Sequence, residues 1–393
     1  MLLYQRIKED FSLPLGAYAA VWGCGFLSMI SMPYLIGGTI TGLGFTETQA
    51  GLLGTIELLV TAAASMILAP MMKSLPRRNL AITGILLAFV GHSLSVIISD
   101  YWTLALMRSI AGIGAGIAVA AGQATIAATA DPGKTTARMM IIFAVAVSIS
   151  LVTYGYVSDL WAHQGVYGFQ ALWVLAMLPL ALLLPKKCPL SEAKKLSTNT
   201  KTPLLIASFS VMIVLFYTLV DASVWSFSER KADSLGIAIS TVGWVFGISL
   251  LLGAFGGGFA SWLGNRYGRM LPYILGLTCS AACALAITGA PNIQTYVSAQ
   301  LAYGFIFTFT MPFLYKISAD LDSSGRIIVA ASSGAVIGGA IGPSYSAMVI
   351  SEFGFSAVGY SYSIAATGVL FLVSIIFNYL NTAKNNDNAI MTH

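Results

Sequence analysis

The chain has 393 residues, of which 57% are hydrophobic and only 9% are charged, and its mean hydropathy is +0.82. An ordinary soluble domain carries about 25% charged residues, so this composition excludes a water-soluble globule of the same length. The net charge of +5 does not indicate nucleic-acid binding, because the sequence contains no soluble element with a basic face.

Apolar stretches that are long enough to cross a bilayer recur along the whole chain. A spanning helix needs about 20 residues, and a helix pairs its backbone groups internally where no water is available. The period-2 alternation of a membrane barrel is missing from the sequence. The predicted fold class is therefore an all-α membrane protein with twelve spans. Their predicted limits are 14–36, 48–70, 79–98, 101–129, 138–158, 167–185, 203–227, 237–262, 270–289, 293–318, 327–350 and 357–381.

The positions of lysine and arginine predict the orientation of these spans. One side of the membrane receives 17 of the 20 basic residues if it holds both termini and the even-to-odd loops. Since basic loops remain in the cytoplasm, both termini are predicted to be cytoplasmic, in the inner membrane. The opening MLLYQRIKEDFSLP carries four charges and no small-residue cleavage site, so we expect it to remain in the mature protein.

The sequence predicts no enzyme, no cofactor and no metal site. Cys279 and Cys283 share a helix face but lack the histidine or further thiol ligands of a metal centre. A nucleotide-driven pump would need the phosphate-binding pattern GxxxxGK[ST], which does not occur. Intramembrane hydrolysis would need paired acids or a Ser/His pair at one depth on facing helices, and we do not favour it.

One polar and basic stretch, PKKCPLSEAKKLSTNT at 185–200, divides the chain into two similar halves. ADPGKTTARMMI at 130–141 matches ADLDSSGRIIVA at 319–330, at an offset of about 190 residues. Two six-helix bundles in parallel repeat are typical of transporters that move about a central site. The predicted boundaries are 1–185 for the first bundle, 186–202 for a cytoplasmic linker, and 203–393 for the second bundle with a short cytoplasmic tail.

These features resemble the major facilitator superfamily over essentially the whole chain. GFASWLGNRYGR at 258–269 is similar to the second copy of its loop signature, and RSIAGIGAG at 108–116 to its fourth-helix pattern, Arg-x-x-x-Gly-x-Gly. The first-half loop, APMMKSLPRR at 69–78, lacks the usual glycine and aspartate. The glycine-proline signature of antiporters is absent from 138–158, which disfavours drug export. The resemblance implies two pseudo-twofold-related bundles and secondary transport by alternating access.

Arg108 lies inside the predicted fourth span, about 10 Å from its outer end by helix rise. An unpaired charge at that depth costs at least a few kcal/mol, so the guanidinium requires a partner or water. Its planar fork of five donors suits a carboxylate or another oxyanion. We therefore predict that Arg108 binds an anionic group of the solute. A structural ion pair with Glu57 is the alternative interpretation.

Glu57, His92 and Asp221 lie about 13, 10 and 10 Å from the outer ends of their own spans, a depth close to that of Arg108. We expect Glu57 to hold or release Arg108. Asp221 has no basic partner on its helix or at its depth, which makes it the predicted proton carrier. His92 is a candidate proton relay, or a hydrogen-bonded packing residue. These three are the predicted proton-coupling residues.

Polar and aromatic residues at helical spacing are interpreted as part of a solute path. On the seventh span Tyr217, Asp221 and Trp225 repeat at i, i+4 and i+8, and Gln300 and Tyr303 share a face of the tenth. The resemblance implies that these faces, and that of the first span, point inward, although such stripes also occur in helix cores. The predicted solute-binding residues are Arg108, Tyr34, Tyr217, Trp225, Gln300 and Tyr303.

The resemblance also implies that loop residues on the cytoplasmic face pair with acids and helix ends and so control opening. Plain enrichment of basic residues on that face is the alternative explanation. The predicted gating residues are Arg77, Arg78, Asn265, Arg266 and Arg269.

Taken together, the sequence favours a secondary transporter that moves a small, anionic organic solute with protons, as a monomer in the lipid bilayer. Proton-coupled efflux of drugs or siderophores is an alternative, and broad resistance on expression would indicate it. A transporter-like receptor is a further alternative, which would bind its ligand without accumulating it in vesicles.

Overall fold

The computed structural model describes residues 2–186, 202–264, 266, 270–322 and 326–391. These residues form helices joined by short connections, so the fold class is all-α, as predicted. The α-helices of the described part are α1 (Leu2–Ala20), α2 (Leu27–Ile30), α3 (Met32–Leu43), α4 (Glu47–Leu68), α5 (Arg77–Ser95), α6 (Tyr101–Ala127), α7 (Pro132–Ala181), α8 (Leu204–Ser234), α9 (Ile239–Leu263), α10 (Leu271–Thr288), α11 (Ile293–Leu321), α12 (Arg326–Phe353) and α13 (Phe355–Met391). A π-helical turn, Val21–Gly25, precedes α2, and a 3-10 turn, Ala69–Lys73, follows α4.

Nine helices in the described part of the chain are long and apolar enough to cross a membrane, namely α4, α6, α7, α8, α9, α10, α11, α12 and α13. The twelve predicted spans correspond to these nine helices, one of which holds two spans, and to two further segments. The fifth and sixth spans both lie in α7, the first is divided among α1, α2 and α3, and the third is α5. Any 18 consecutive residues of the 19-residue α5 include Arg78 and Asn79, which lower its mean hydropathy.

Helix α7 runs for 50 residues but is broken at Ala162, whose φ of 44° and ψ of −129° are not helical. A positive φ is strained for a residue with a Cβ. The break lies between the predicted fifth and sixth spans, so these two spans are separated by a single residue rather than by a loop.

The first predicted span, 14–36, differs from one continuous helix. A π-helical turn and the residue Ser31 interrupt it, and α3 then begins with Pro33 near its start and continues to Leu43. Proline has no N–H to donate to the preceding turn and is tolerated in the first turn of a helix, which accounts for the restart at α3.

The described residues form two compact units. The first contains the described residues up to 186 together with Trp225–Gly247 and Pro343–Ser351, and the second contains the remaining described residues. In the first unit α6 packs against α4 and α5, and in the second α10 packs against α11 and α13. Most of the predicted linker, 187–201, lies outside the described residues, so the predicted bundle boundaries remain a prediction.

Side-chain caps define several helix starts. Thr46 and Gln49 form a reciprocal capping box at the start of α4. Asp100 accepts from the backbone N–H of Thr103 at 2.9 Å, and this hydrogen bond lowers the pKa of the Asp100 carboxyl. Asp131 similarly accepts from the N–H of Lys134 at the start of α7. These caps satisfy N–H groups that would otherwise lack partners.

The packing of α5 on α6 depends on backbone contact, which gives a stability prediction. A Cβ added at Gly114 would lie 2.5 Å from the carbonyl oxygen of Gly84, whereas a Cβ at Gly368 of α13 would meet no atom within 4 Å. We expect Gly114→Ala to lower the melting temperature of the detergent-solubilised protein. We expect Gly368→Ala to raise it, since alanine is favoured over glycine inside a helix by about 0.5–1 kcal/mol. Tryptophan fluorescence during heating measures both, and shifts of equal sign would contradict the close packing.

Candidate functional site

Arg108 is buried in the first unit and is bound by residues from two neighbouring helices. Its guanidinium donates to the carbonyl oxygen of Gly91 at 3.1 Å, to the Ser95 hydroxyl at 2.5 Å and to His92 Nδ1 at 3.1 Å, all on α5. Its Nη1 also lies 3.5 Å from Glu57 Oε2 on α4. The structure therefore brings together Arg108, Glu57 and His92, the three charged or titratable residues that the sequence placed at one depth of the first half.

A fourth helix contributes the face of an aromatic ring and an amide. The Arg108 guanidinium carbon lies 4.3 Å from the centroid of the Tyr167 ring on α7, within the range of a cation–π interaction. Gln170, one turn further along α7, contacts His92 and donates to the hydroxyls of Ser28 and Ser31 at 3.2 and 3.0 Å. Ser28 in turn donates to Glu57 Oε1 at 2.7 Å. We call Arg108, Glu57, His92, Tyr167, Gln170 and Ser28 the arginine cluster.

Glycine residues on α6 bring the arginine cluster together. A Cβ at Gly112 would lie 2.6 Å from the carbonyl oxygen of Glu57, and a Cβ at Gly116 would lie 2.5 Å from that of Thr61. A side chain at either position would push α4 away from α6. The Arg-x-x-x-Gly-x-x-x-Gly spacing puts these glycines on the same helix face as Arg108. Because they have no side chain, α4 can pack closely enough for Glu57 to reach Arg108.

The hydrogen-bond chemistry fixes the state of His92. A guanidinium has only donors, so the Nδ1 atom of His92 must accept, and its other ring nitrogen carries the proton of the neutral imidazole. Within the described residues the Nε of Arg108 and the Oε2 of Glu57 have no hydrogen-bond partner. The cluster thus retains unused capacity both on its cation and on its carboxylate.

Only 1% of the Arg108 surface is exposed in this conformation. The ion pair with Glu57 is present, which fits the structural alternative as well as the predicted exchange with a solute. Binding of a solute by Arg108 accordingly requires a conformation in which the cluster is open, and its solute-binding role remains a prediction.

Asp221 lies on α8 in the second unit and is partly exposed. The Tyr303 hydroxyl on α11 donates to its Oδ1 and lies 3.4 Å from its backbone oxygen. Among the described residues Asp221 forms no ion pair, as the sequence predicted from the lack of a basic neighbour. The structure therefore joins one predicted proton-coupling residue to one predicted solute-binding residue.

The other predicted solute-binding residues have separate environments. In the second unit Tyr217 lies 3.3 Å from the Ser280 hydroxyl and stacks on Phe307, and Gln300 is buried. In the first unit Trp225 donates from its indole to backbone oxygens of Met29 and Ile30 at 3.2 and 3.1 Å. Tyr34, also in the first unit, is buried and stacks on Tyr154 with ring centroids 5.7 Å apart. Tyr34 and Trp225 thus contact protein groups in this conformation.

Three predicted gating residues lie within the described residues. Arg77 donates to the carbonyl oxygen of Ala124 at 2.8 Å, and Arg78 to that of Leu184 at 2.5 Å. These carbonyls lie at the carboxyl ends of α6 and α7, where a cation is stabilising. The Arg266 guanidinium lies 5.0 Å from the Trp262 ring. Asn265 and Arg269 lie outside the described residues, and gating by all five remains a prediction.

Sequence reasoning missed two titratable residues of the first unit, one fully buried and one half-buried. Glu229 was placed beyond the predicted seventh span, which ended at 227, but α8 continues to Ser234 and Glu229 is fully buried. The signal was present, because Glu229 extends the i+4 series of Tyr217, Asp221 and Trp225 by one more step. His163 directly follows Ala162, where α7 is interrupted, and its buried Nδ1 atom has no hydrogen-bond partner among the described residues.

Comparison with known proteins identifies a sequence relative over part of the chain and solved structures with a similar fold. The chain is 25% identical over 255 residues to the sialic acid transporter NanX of Escherichia coli K12, and the match covers 61% of each protein. Similar solved structures are a D-xylose–proton symporter (TM-score 0.69, 14% identity, 93% of this chain and 97% of that one) and the inward-open xylose transporter XylE from E. coli (0.69, 14%, 92% and 95%). A bacterial homologue of the human lysosomal transporter Spinster, inward-facing and unoccupied, gives a TM-score of 0.68 at 14% identity, over 94% and 96%. At these identities the structures show a common fold.

The sequence profile of the Major Facilitator Superfamily matches residues 16–231 and 204–390, which together cover nearly the whole chain. The profile match agrees with the all-α fold, with the apolar spanning helices and with the loop and fourth-helix patterns of the sequence. This membrane-spanning chain belongs to the major facilitator superfamily.

Proposed function

We propose that this protein is a secondary active transporter that moves a small organic anion together with protons, by alternating access. The observation that carries the proposal is the buried pair of Arg108 and Glu57, a fixed cation whose counter-charge is a titratable carboxylate. The relative NanX is named as a transporter of an acid, sialic acid, and one structural neighbour is named as a proton symporter. Both names are compatible with the proposal.

The geometry suggests how proton and anion binding are coupled. At 3.5 Å, Glu57 Oε2 is the internal counter-charge of Arg108. Protonation of Glu57 removes that counter-charge and leaves a buried guanidinium, whose cost is several kcal/mol unless another anion replaces it. A solute carboxylate offers two oxygens that match the planar fork of the guanidinium. Binding of a proton by Glu57 therefore favours binding of the anion by Arg108.

The neighbouring groups have supporting roles in this proposal. His92 holds the guanidinium through Nδ1 and contacts Gln170, so it connects Arg108 to the hydroxyl chain that ends at Glu57. In this proposal the imidazole of His92 itself is the relay group, and Gln170 holds its orientation. Asp221 is the second carboxyl of the proposal. Because it is partly exposed and its Oδ1 partner is the neutral hydroxyl of Tyr303, it can bind a proton without breaking an ion pair.

We further propose the inner membrane as the location of the protein, with both termini in the cytoplasm and the monomer as the working unit. The distribution of 17 of 20 basic residues supports the orientation.

The first test of the proposal is a thermal-shift experiment on the purified protein. We expect stabilisation by sialic acid or by simple carboxylates such as lactate and gluconate, and none by xylose or tetraphenylphosphonium. A ligand at 100 times its Kd stabilises by about 2.7 kcal/mol. Arg108→Gln should abolish the shift, while Arg230→Gln, which changes a cation of the α8 end, should retain it. Stabilisation by the lipophilic cation that persists in Arg108→Gln would instead indicate efflux of drugs.

The coupling between Glu57 and Arg108 predicts a pH dependence of anion binding. In the wild type we expect the affinity for the stabilising carboxylate to rise as pH falls, by up to about tenfold per pH unit where one proton is taken up. Glu57→Gln removes the titrating group, so its affinity should be high and independent of pH. Glu47→Gln, at a partly exposed carboxylate outside the arginine cluster, serves as the matched control. Isothermal titration at pH 5.5, 6.5 and 7.5 measures the slopes, and an unchanged slope in Glu57→Gln would exclude this coupling.

Asp221 is tested by proton movement in proteoliposomes that contain a pH-sensitive dye. An inward gradient of the stabilising carboxylate should acidify the lumen of wild-type vesicles. We expect Asp221→Asn to lose this proton uptake while it still exchanges labelled for unlabelled carboxylate, because exchange needs no net proton transfer. Tyr303→Phe should shift the pH at which uptake is half-maximal, and Asp159→Asn, at an exposed site, should behave as wild type. Proton uptake that survives in Asp221→Asn would remove Asp221 from the pathway.

A further inference from the structure

The end of α3 presents a row of glycines to its neighbours in the first unit. Gly37 faces the carboxyl group of Glu229 on α8, and a Cβ at that position would overlap it. Gly38 faces the backbone of His163 on α7 at 3.2 Å, and Gly42 faces the His163 ring. Two titratable side chains therefore pack directly on the backbone of one helix end, which we call the glycine face of α3.

Glu229 is fully buried, with an exposed fraction of 0%. Neither of its carboxyl oxygens has a hydrogen-bond partner among the described residues. Its electrostatic neighbours are Arg230 and Asp233 on the same helix, and these two pair with each other at 2.8 Å. The Arg230 guanidinium also reaches the Thr41 hydroxyl at 3.5 Å rather than Glu229. Among the residues that the structure describes, the carboxyl thus has neither an ion-pair partner nor a hydrogen-bond donor.

The elements that pack around this contact offer few other titratable groups. Helix α7 contributes His163, the exposed Asp159 one turn before it, and the phenol of Tyr154, which stacks on that of Tyr34 on α3. The part of α9 in the first unit, 239–247, contains no titratable residue, and α8 itself adds Lys231 to Arg230 and Asp233. His163 is therefore the alternative titrating group that an experiment must separate from Glu229.

An ionised carboxylate without a partner is far more costly to bury than a neutral one. A neutral carboxyl can pack on a glycine, where there is room for it and no opposing side chain. A hard metal ion is a poor substitute for the proton, because it requires several oxygen ligands and a single carboxylate supplies two. The packed arrangement consequently favours the neutral carboxyl of Glu229, which carries one bound proton.

We propose that Glu229 is a further proton-binding residue, whose carboxyl is neutral while it packs on Gly37 and leaves the glycine face of α3 when it ionises. Release of the proton then separates the end of α8 from the end of α3, because the ionised carboxylate has no hydrogen-bond donor among the described residues in the packed position and requires water. Closure of this contact takes up one proton and is favoured at low pH. This site goes beyond the arginine cluster and needs no solute to operate.

Pulsed electron resonance between two spin labels tests the proposal. The labels are attached to cysteines at Thr41 and Ser234, at the exposed ends of α3 and α8, in a background without native cysteines, and the protein is studied in lipid nanodiscs without solute. We expect a short-distance population that dominates at pH 5.5 and a longer one that grows towards pH 8.5. The ratio should change by up to about tenfold per pH unit in the titrating range.

Substitutions at the contact decide which group titrates. Glu229→Gln, neutral and of similar shape, should keep the short distance at both pH values, and Glu229→Met carries the same expectation if the first variant does not fold. Gly37→Ala places a Cβ in the space of the carboxyl and should favour the long distance at both pH values. Glu47→Gln, at a partly exposed carboxylate, should titrate like the background.

The proposal is overturned if the background shows no pH dependence, if Glu229→Gln titrates like the background, or if the dependence vanishes in His163→Gln and persists in Glu229→Gln. None of these outcomes depends on anion binding. A failure of the arginine cluster to bind carboxylates would therefore leave this test unaffected, and failure of this test would leave the role of Arg108 open.

Discussion

The first unit depends on one constraint, which is that the guanidinium of Arg108 must be satisfied by protein groups once water is excluded. Its partners come from α4, α5 and α7, so a single side chain of α6 links four helices. Removing one partner of a buried pair costs about 3–5 kcal/mol, because the remaining charge is left without compensation. Any movement that separates these helices must therefore supply a substitute for the partner that is lost. A solute anion and a proton on Glu57 are a chemically balanced substitute.

Three acidic residues of the described chain illustrate how environment assigns different chemistry to similar groups. Glu57 pairs with the cation of Arg108 and accepts a hydrogen bond from Ser28, so its negative charge is compensated inside the protein. Asp221 accepts from a tyrosine and is partly exposed, so it can exchange a proton with little rearrangement. Glu229 is fully buried and has no hydrogen-bond partner among the described residues, so its carboxyl cannot be ionised while it stays packed. The three sites differ in what must move when a proton leaves.

The common depth of Arg108, Glu57 and His92 could be predicted from the sequence because helix rise converts residue number into distance, and the three residues meet in the structure. The lack of a basic partner for Asp221 was equally readable, since the predicted span 203–227 contains no lysine or arginine. Tyrosine as its partner was not readable, because side-chain pairing between helices depends on their rotation. Glu229 was missed because hydropathy ends a span at the first cluster of charges, whereas α8 buries one residue of that cluster and continues to Ser234. The interruptions between α1 and α3 depend on local packing and were likewise not predicted.

Glycine has two physically distinct uses in the first unit. Gly112 and Gly116 of α6 face backbone oxygens of α4, and Gly114 faces the backbone of α5, so these contacts are insensitive to pH. Gly37 of α3 instead faces the carboxyl group of Glu229. The free energy of this helix contact therefore depends on whether Glu229 carries a proton. The first use holds helices at a fixed distance, and the second makes the distance conditional. The glycine contacts of α6 therefore do not respond to a proton, whereas the contact at Gly37 does under the proposal for Glu229, so the end of α8 can move with pH independently of the packing of α6.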